Sequence, residues 1–269
     1  MAASAFVLAL AAALAANGVP VVASMLDERG LLRTEVGTII IATAACVTTL
    51  ALIVSGVAIK GGDAGAAGRF ALILAAAAVL VALVAALVRT HHDSLAPGVA
   101  VAVLLGLALA AGIAGKSLLG TALVGPLVVG IAAPAAGSSA TFIEARLGGI
   151  VRGALLPVFL GVAALHTNLR ELGPGVWLPV AGILAAVTAV KLAAGYGVAR
   201  ATGFSRADAG AVAASLQCGG IMTIAISLDA LKGGLISTRM HAALTLLGLV
   251  TTVIAGPLLR RAWPARRVD

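Results

Sequence analysis

Runs of about twenty apolar residues, separated by short polar connections, recur along the whole of this 269-residue chain. A helix needs roughly twenty such residues to cross about 30 Å of hydrocarbon. Nine runs meet that length: 3–25, 36–59, 70–88, 97–115, 117–136, 148–166, 176–199, 208–228 and 240–259. Backbone polar groups facing lipid must be satisfied within their own segment, so each run reads as a helix. The expected fold is an all-α polytopic membrane protein, a single domain over residues 1–269, because no connection is long enough to serve as an interdomain linker.

Composition excludes the other classes. Charged residues make up 10% of the chain, against about 25% in soluble domains, so the solvent is a lipid bilayer. The net charge of +8 does not indicate nucleic acid, because the basic residues sit singly or in small groups between apolar runs and aromatic residues are only 3%. The excess is the cytoplasmic Lys/Arg bias of membrane proteins. Counted over alternate connections, one side holds Arg29, Arg33, Arg89, Arg146, Arg152, Arg200, Arg206, Arg260, Arg261, Arg266 and Arg267. The other holds Lys60, Arg69, Lys116, Arg170, Lys232 and Arg239. This places the C-terminus in the cytoplasm. The start lacks the basic residues of a cleavable signal peptide. The wealth of Ala, Gly and Val points to a GC-rich bacterial source, and hence to a bacterial plasma membrane.

Two runs are interrupted. The first carries Asn17-Gly18-Val19-Pro20, and the eighth carries Gln217-Cys218-Gly219-Gly220. Glycine and proline weaken a helix there, and the freed backbone groups are tolerated only where they face protein or a cavity. A pair of broken segments in the two halves of a transporter marks its binding site. The broken-helix positions are therefore Gly18, Pro20, Gly219 and Gly220, each break with an amide side chain beside it. Lys191 lies more than halfway along the seventh run, where a lysine costs about 2.5–3.5 kcal/mol to insert and calls for a partner. All ten acids, however, lie in connections or near segment ends. At membrane depth the chain offers Lys191 itself, with the neutral Thr48, Thr49, Cys46, Asn17, Gln217 and Thr223.

No enzyme, cofactor or metal chemistry is expected, since the chain has no glycine-rich phosphate loop, no Gly-x-Ser-x-Gly elbow and no His-Glu-x-x-His. His91-His92 reads as a solvated turn, and His166 and His241, at segment ends, read as interfacial. Cys46 and Cys218 read as small packing residues. Gly195 and Gly197 read as points of close helix approach.

Several stretches, in order and at the right spacing, resemble the monovalent cation:proton antiporters of family 2. These are the run from Val21 through Leu26-Asp27-Glu28-Arg29-Gly30 to Thr34-Glu35-Val36-Gly37, and Leu156-Pro157-Val158-Phe159-Leu160-Gly161-Val162. Lys191-Leu192 with Gly203-Phe204-Ser205-Arg206-Ala207-Asp208-Ala209 is similar to that family's lysine helix and following loop. Gly233-Gly234-Leu235-Ile236-Ser237, Thr251-Thr252 and Gly256-Pro257-Leu258-Leu259 resemble its last two helices. The resemblance implies an inverted-repeat fold whose two broken helices cross near the membrane centre. It also implies exchange of sodium or potassium for protons through an ion site at the breaks.

The chain departs from the family in two ways. Val47 and Thr48 stand where the resemblance places acids, and Gly219 and Thr223 stand where many relatives have an arginine and a glutamate. Family domains also run longer, with a few further N-terminal helices, which an upstream start or a second polypeptide would supply. The resemblance places the family's dimer contacts on those helices, so their absence weighs against the homodimer, which stands as an expectation beside a second polypeptide that supplies them. Two functions follow: a transporter with altered coupling, or a non-transporting subunit or regulator that keeps the fold.

Overall fold

The computed structural model describes residues 2–59, 97–119, 121–132, 148–165, 167–168 and 172–263, all helices, turns and loops without a strand among them. In chain order the α-helices are α1 (Ala2–Ala15), α2 (Val19–Asp27), α3 (Glu35–Ile59), α4 (Pro97–Leu119) and α5 (Val124–Ala132). There follow α6 (Leu156–Leu165), entered through a π-helical turn at Val151–Leu155, then α7 (Trp177–Ala201), α8 (Arg206–Ser215), α9 (Gly220–Lys232) and α10 (Thr238–Ala262). Five stretches are long and apolar enough to cross a membrane: Ala3–Asp27, Glu35–Ile59, Trp177–Ala201, Arg206–Lys232 and Thr238–Ala262. The expected run 70–88 and the His91-His92 turn lie outside the described residues. The expected boundary between runs 97–115 and 117–136 moves, because α4 continues to Leu119 and α5 begins only at Val124.

The chain divides into two compact units, one of residues 1–5 with 52–165, the other of residues 6–51 with 166–269. In the first, α4 packs on α5. Gly125 allows this approach, since a side chain there would collide with the Ala111 backbone.

The second unit holds every residue of the candidate site. Its centre is the α8–α9 span, of which 83% is buried, against 11% for α7. That contrast makes α8–α9 the core helix and α7 a peripheral one, whose exposed Leu178, Val190 and Val198 suit a lipid-facing surface. Val22, Leu26, Leu31, Ile40, Val212 and Leu259 form a buried cluster at one end of the unit, with Phe204 and Trp263 packed on it. The connections bearing Arg29 and Arg33, and Arg200 and Arg206, therefore meet the end of α10 with Arg260 and Arg261. Arg29 closes this end by donating to Trp263 O (3.3 Å).

Helix starts are set locally. Ser205 accepts from Asp208 N (3.2 Å) and donates to the Asp208 carboxylate (2.6 Å), a reciprocal cap that begins α8. Ser237 accepts from Met240 N (3.2 Å) and begins α10. Of the two glycines expected at a close helix approach, Gly195 fills that role: a Cβ there would lie 3.1 Å from Ala213 Cα of α8. Gly197 faces open space.

Candidate functional site

The chain leaves the helical path between α1 and α2 and again between α8 and α9, and each interruption has its own cause. The first opens between α1 and α2 because Pro20 has no N–H and the donors before it find partners outside the helix. Asn17 N donates to Thr48 Oγ1 (3.0 Å), Gly18 N to Cys218 O (2.6 Å), and Val19 N to Asn17 O (3.1 Å). Pro20 sits in the first turn of α2 rather than in the break, where its fixed φ suits a helix start. The second opens between α8 and α9, where Gln217 N donates to Ala214 O (3.2 Å) and Gly219 N to Gln217 O (2.8 Å). Gly220 has φ +42, and a Cβ on it would lie 2.9 Å from Thr252 Oγ1. A Cβ on Gly219 would lie 2.8 Å from Thr223 Oγ1. At both positions a side chain would force a threonine hydroxyl to shift, and at Gly220 the backbone conformation also favours glycine. Gly18 is different, since a Cβ there meets only ordinary contacts at 3.6 Å. The bond from Gly18 to Cys218 brings the two breaks into contact.

Lys191 reaches this junction from α7. Its Nζ donates to Leu14 O (3.4 Å), Ala16 O (3.3 Å) and Asn17 Oδ1 (3.1 Å). An ammonium has three protons, and these are three acceptors, so the group is saturated by neutral oxygens. Two of them are carbonyls freed at the C-terminal end of α1, where the helix dipole places partial negative charge. Ala15 O, the third carbonyl of that end, accepts from Asn17 Nδ2 (3.3 Å). Thr48 closes the arrangement: its hydroxyl accepts from Asn17 N and donates to Asn17 O (2.9 Å). The residue standing where the family resemblance places an acid thus holds the break from the far side, leaving the lysine to an amide.

Thr49 is not brought into this junction. It donates to Ala45 O of its own helix (2.8 Å), because neighbouring residues on an α-helix point about 100° apart. Thr223 is buried and lines a cavity of about 10 Å³ with Leu14, Lys191, Gly219, Gly248 and Thr251. That is about the room one water needs. Gln217 is buried beside the second break, with Nε2 on Ala213 O (3.4 Å) and Oε1 without a partner. The nearby Ser215 Oγ is also buried without one. Cys218 is buried with Sγ 3.9 Å from Thr252 Oγ1, and Cys46 is exposed.

The expectation of an interfacial His241 is corrected. It is fully buried, with Nδ1 2.9 Å from Ser227 Oγ. Its place near a run's end suggested water, but one turn of α10 beyond Ser237 already lies against α9. Two contributors carry no mark in the sequence. The carbonyls of Leu14 and Ala16 have no residue-type signal, and Thr251-Thr252 pointed to the family without marking the cavity wall.

The chain is similar to several known proteins. A Na+/H+ antiporter of Synechocystis, NhaS4, is 28% identical over 142 residues, 52% of this chain and 35% of that protein. K+/H+ antiporter 1 of Saccharomyces cerevisiae is 26% identical over 141 residues, 52% of this chain and 16% of that protein. The Na+/H+-K+ antiporter GerN of Bacillus cereus is 24% identical over 124 residues, 46% of this chain and 32% of that protein. The matched stretch thus spans between 16% and 35% of these relatives' own lengths. The profile described as sodium/hydrogen exchanger, transmembrane, matches residues 3–263. Its members are transporters rather than enzymes, and a match over nearly the whole chain means that this multi-pass membrane protein belongs to the sodium/hydrogen exchanger family.

Proposed function

We propose that the chain is the transport region of a cation:proton antiporter that exchanges sodium or potassium for protons, with Lys191 and the transported cation alternating at one set of oxygens. The observation that carries this reading is the Lys191 ammonium on Leu14 O, Ala16 O and Asn17 Oδ1 at 3.1–3.4 Å. Neutral carbonyl and amide oxygens at the negative end of a half-helix are what a dehydrated monovalent cation requires. When Lys191 gives up its proton, the same oxygens become free for the cation. One proton leaves as one cation enters, without a membrane-centre carboxylate. Thr48 fixes the orientation of the break, Thr223 and Thr251 offer hydroxyls on the cavity side, and Gln217 Oε1 is an unused acceptor beside the second break. The names of the relatives, Na+/H+ and K+/H+ antiporters, support the substrate class.

The wider architecture belongs to the same proposal. It comprises about nine spans built as an inverted repeat, with the two breaks related to each other, in a bacterial plasma membrane. The gathering of Arg29, Arg33, Arg200, Arg206, Arg260 and Arg261 at one end of the second unit supports a cytoplasmic C-terminus. The partners belong to the same proposal as well: a homodimer, or a second polypeptide that brings further helices.

A second reading, a non-transporting subunit that keeps the fold, is favoured by one observation: the lysine is fully satisfied and the cavity beside it holds only about 10 Å³. Sodium- and potassium-dependent proton flux in proteoliposomes, wild type against Lys191→Ala, separates the two. Flux in the wild type that vanishes in the variant supports the antiporter. Folded wild-type protein with no flux gives the subunit reading.

A further inference from the structure

Polar groups on α10 continue past the lysine cavity. His241, Thr245, Gly248 and Thr252 recur at three- and four-residue spacing and so share one face of the helix. At one end of this row a Cβ on Gly248 would lie 3.1 Å from both Gly220 O and Thr223 Cβ of α9, beside the Lys191 cavity. Two turns away, His241 meets Ser227, which stands one turn beyond Thr223 on α9. Between them the Thr245 hydroxyl is buried without a hydrogen-bond partner. An unpaired hydroxyl costs free energy in a membrane interior, and water is its ordinary partner.

Ser227 Oγ lies 2.9 Å from both Ile224 O and His241 Nδ1. With its one proton on Ile224 O, the serine accepts from Nδ1–H, and this is the tautomer the relay uses. His241 Nε2 is then the lone-pair nitrogen of the neutral ring, and it faces Thr167 Oγ1 at 3.5 Å. A buried imidazole with one nitrogen toward the site and the other toward a loop has the geometry of a proton shuttle.

Resting on the antiporter reading above, we propose that Ser227, Thr245 and His241 form the proton path between the Lys191 cavity and the membrane face at which Thr167 lies, with His241 as its relay. A proton arriving from the Thr167 side binds Nε2 and gives the imidazolium. The Nδ1 proton passes to Ser227 Oγ as Ser227 hands its own proton to a water beside Thr245. One proton enters at Nε2 and one leaves from Nδ1, so the passage balances, and it ends with the ring as the neutral Nε2–H tautomer, which must exchange to Nδ1–H before the next proton passes. Among the described residues, the titratable or charged groups on the helices packed around α10 are Asp229 and Lys232 of α9, Lys191, Tyr196 and Arg200 of α7, and Arg206 and Asp208 of α8. On α10 itself these are Arg239, which donates to Leu172 O (2.9 Å), and Arg260 and Arg261 at the far end.

The first test does not depend on transport. In reconstituted full-length protein with nitrogen-15 histidines, the signal lost in His241→Gln identifies the ring. The relay requires a neutral Nδ1–H tautomer that converts to imidazolium within about pH 5–8. A ring that stays neutral down to pH ~4.5 overturns it. The second test compares proton-coupled flux with labelled-cation self-exchange in proteoliposomes. His241→Gln and Thr245→Val should lower coupled flux roughly tenfold or more and leave self-exchange as in the wild type. Unchanged flux, or equal loss of both activities, overturns the relay while the antiporter reading stands. A wild type without flux removes the antiporter reading, and the path with it.

Discussion

The two breaks solve one physical problem in different ways. Each must satisfy backbone groups that a continuous helix would have paired within itself. The first break does so with side chains from other helices: Thr48 of α3 holds Asn17, and Lys191 of α7 takes two freed carbonyls. The second pairs its donors through tight local turns and needs Gly219 and Gly220 for space, leaving Gln217 Oε1 and Ser215 Oγ unpaired. The first break leaves ordinary room for a side chain at its glycine. At the second, a Cβ on either glycine would press on a threonine hydroxyl. Lys191 belongs to the first kind, where, in the proposed antiporter, the group that restrains the break is also the one that gives up a proton.

The largest effect should come from removing the lysine head. Lys191→Met leaves three buried acceptors bare, at about 1–3 kcal/mol each. Thermal unfolding in detergent should drop well below wild type and coupled flux should disappear. A variant as stable as wild type would mean that the first break does not depend on Lys191. Next comes Thr48→Val, which strips a donor and an acceptor from Asn17 at similar volume. A loss of about 2 kcal/mol in unfolding free energy is expected, with raised half-saturation for the cation. Thr49→Val, whose hydroxyl bonds only its own helix, should change far less.

The steric side of the comparison has its own pair. Gly220→Ala puts a side chain at φ +42 against Thr252, at about 1–3 kcal/mol. Gly18→Ala meets only ordinary contacts and should fall within about 1 kcal/mol of wild type, the cost of an ordinary substitution. Equal losses in the two unfolding curves would erase the distinction between the breaks. The smallest stability effect is expected for Gln217→Leu, which removes the unpaired Oε1 together with the long Nε2 bond to Ala213 O and should stay within about 1 kcal/mol. Its informative readout is cation affinity, measured as half-saturation of flux. A shift there would show that Oε1 serves the ion.

The sequence by itself determined the all-helical membrane class, and it marked two interrupted runs and a lysine far from either end of its own run. These follow from local quantities: the length of an apolar run, the missing N–H of Pro20, and the distance of a lysine from either end of its span. It also named Asn17 and Thr48, because few polar side chains occur at membrane depth. Tertiary structure alone decided which of these residues meet. Thr48 rather than Thr49 faces the break because the rotation of α3 is set by packing, not by composition. Two of the three oxygens on Lys191 are backbone carbonyls, present in every residue and exposed as acceptors only when a particular turn of α1 ends there. His241 is buried rather than interfacial because α9 covers it, and a contact between helices is invisible in a pattern read along one chain.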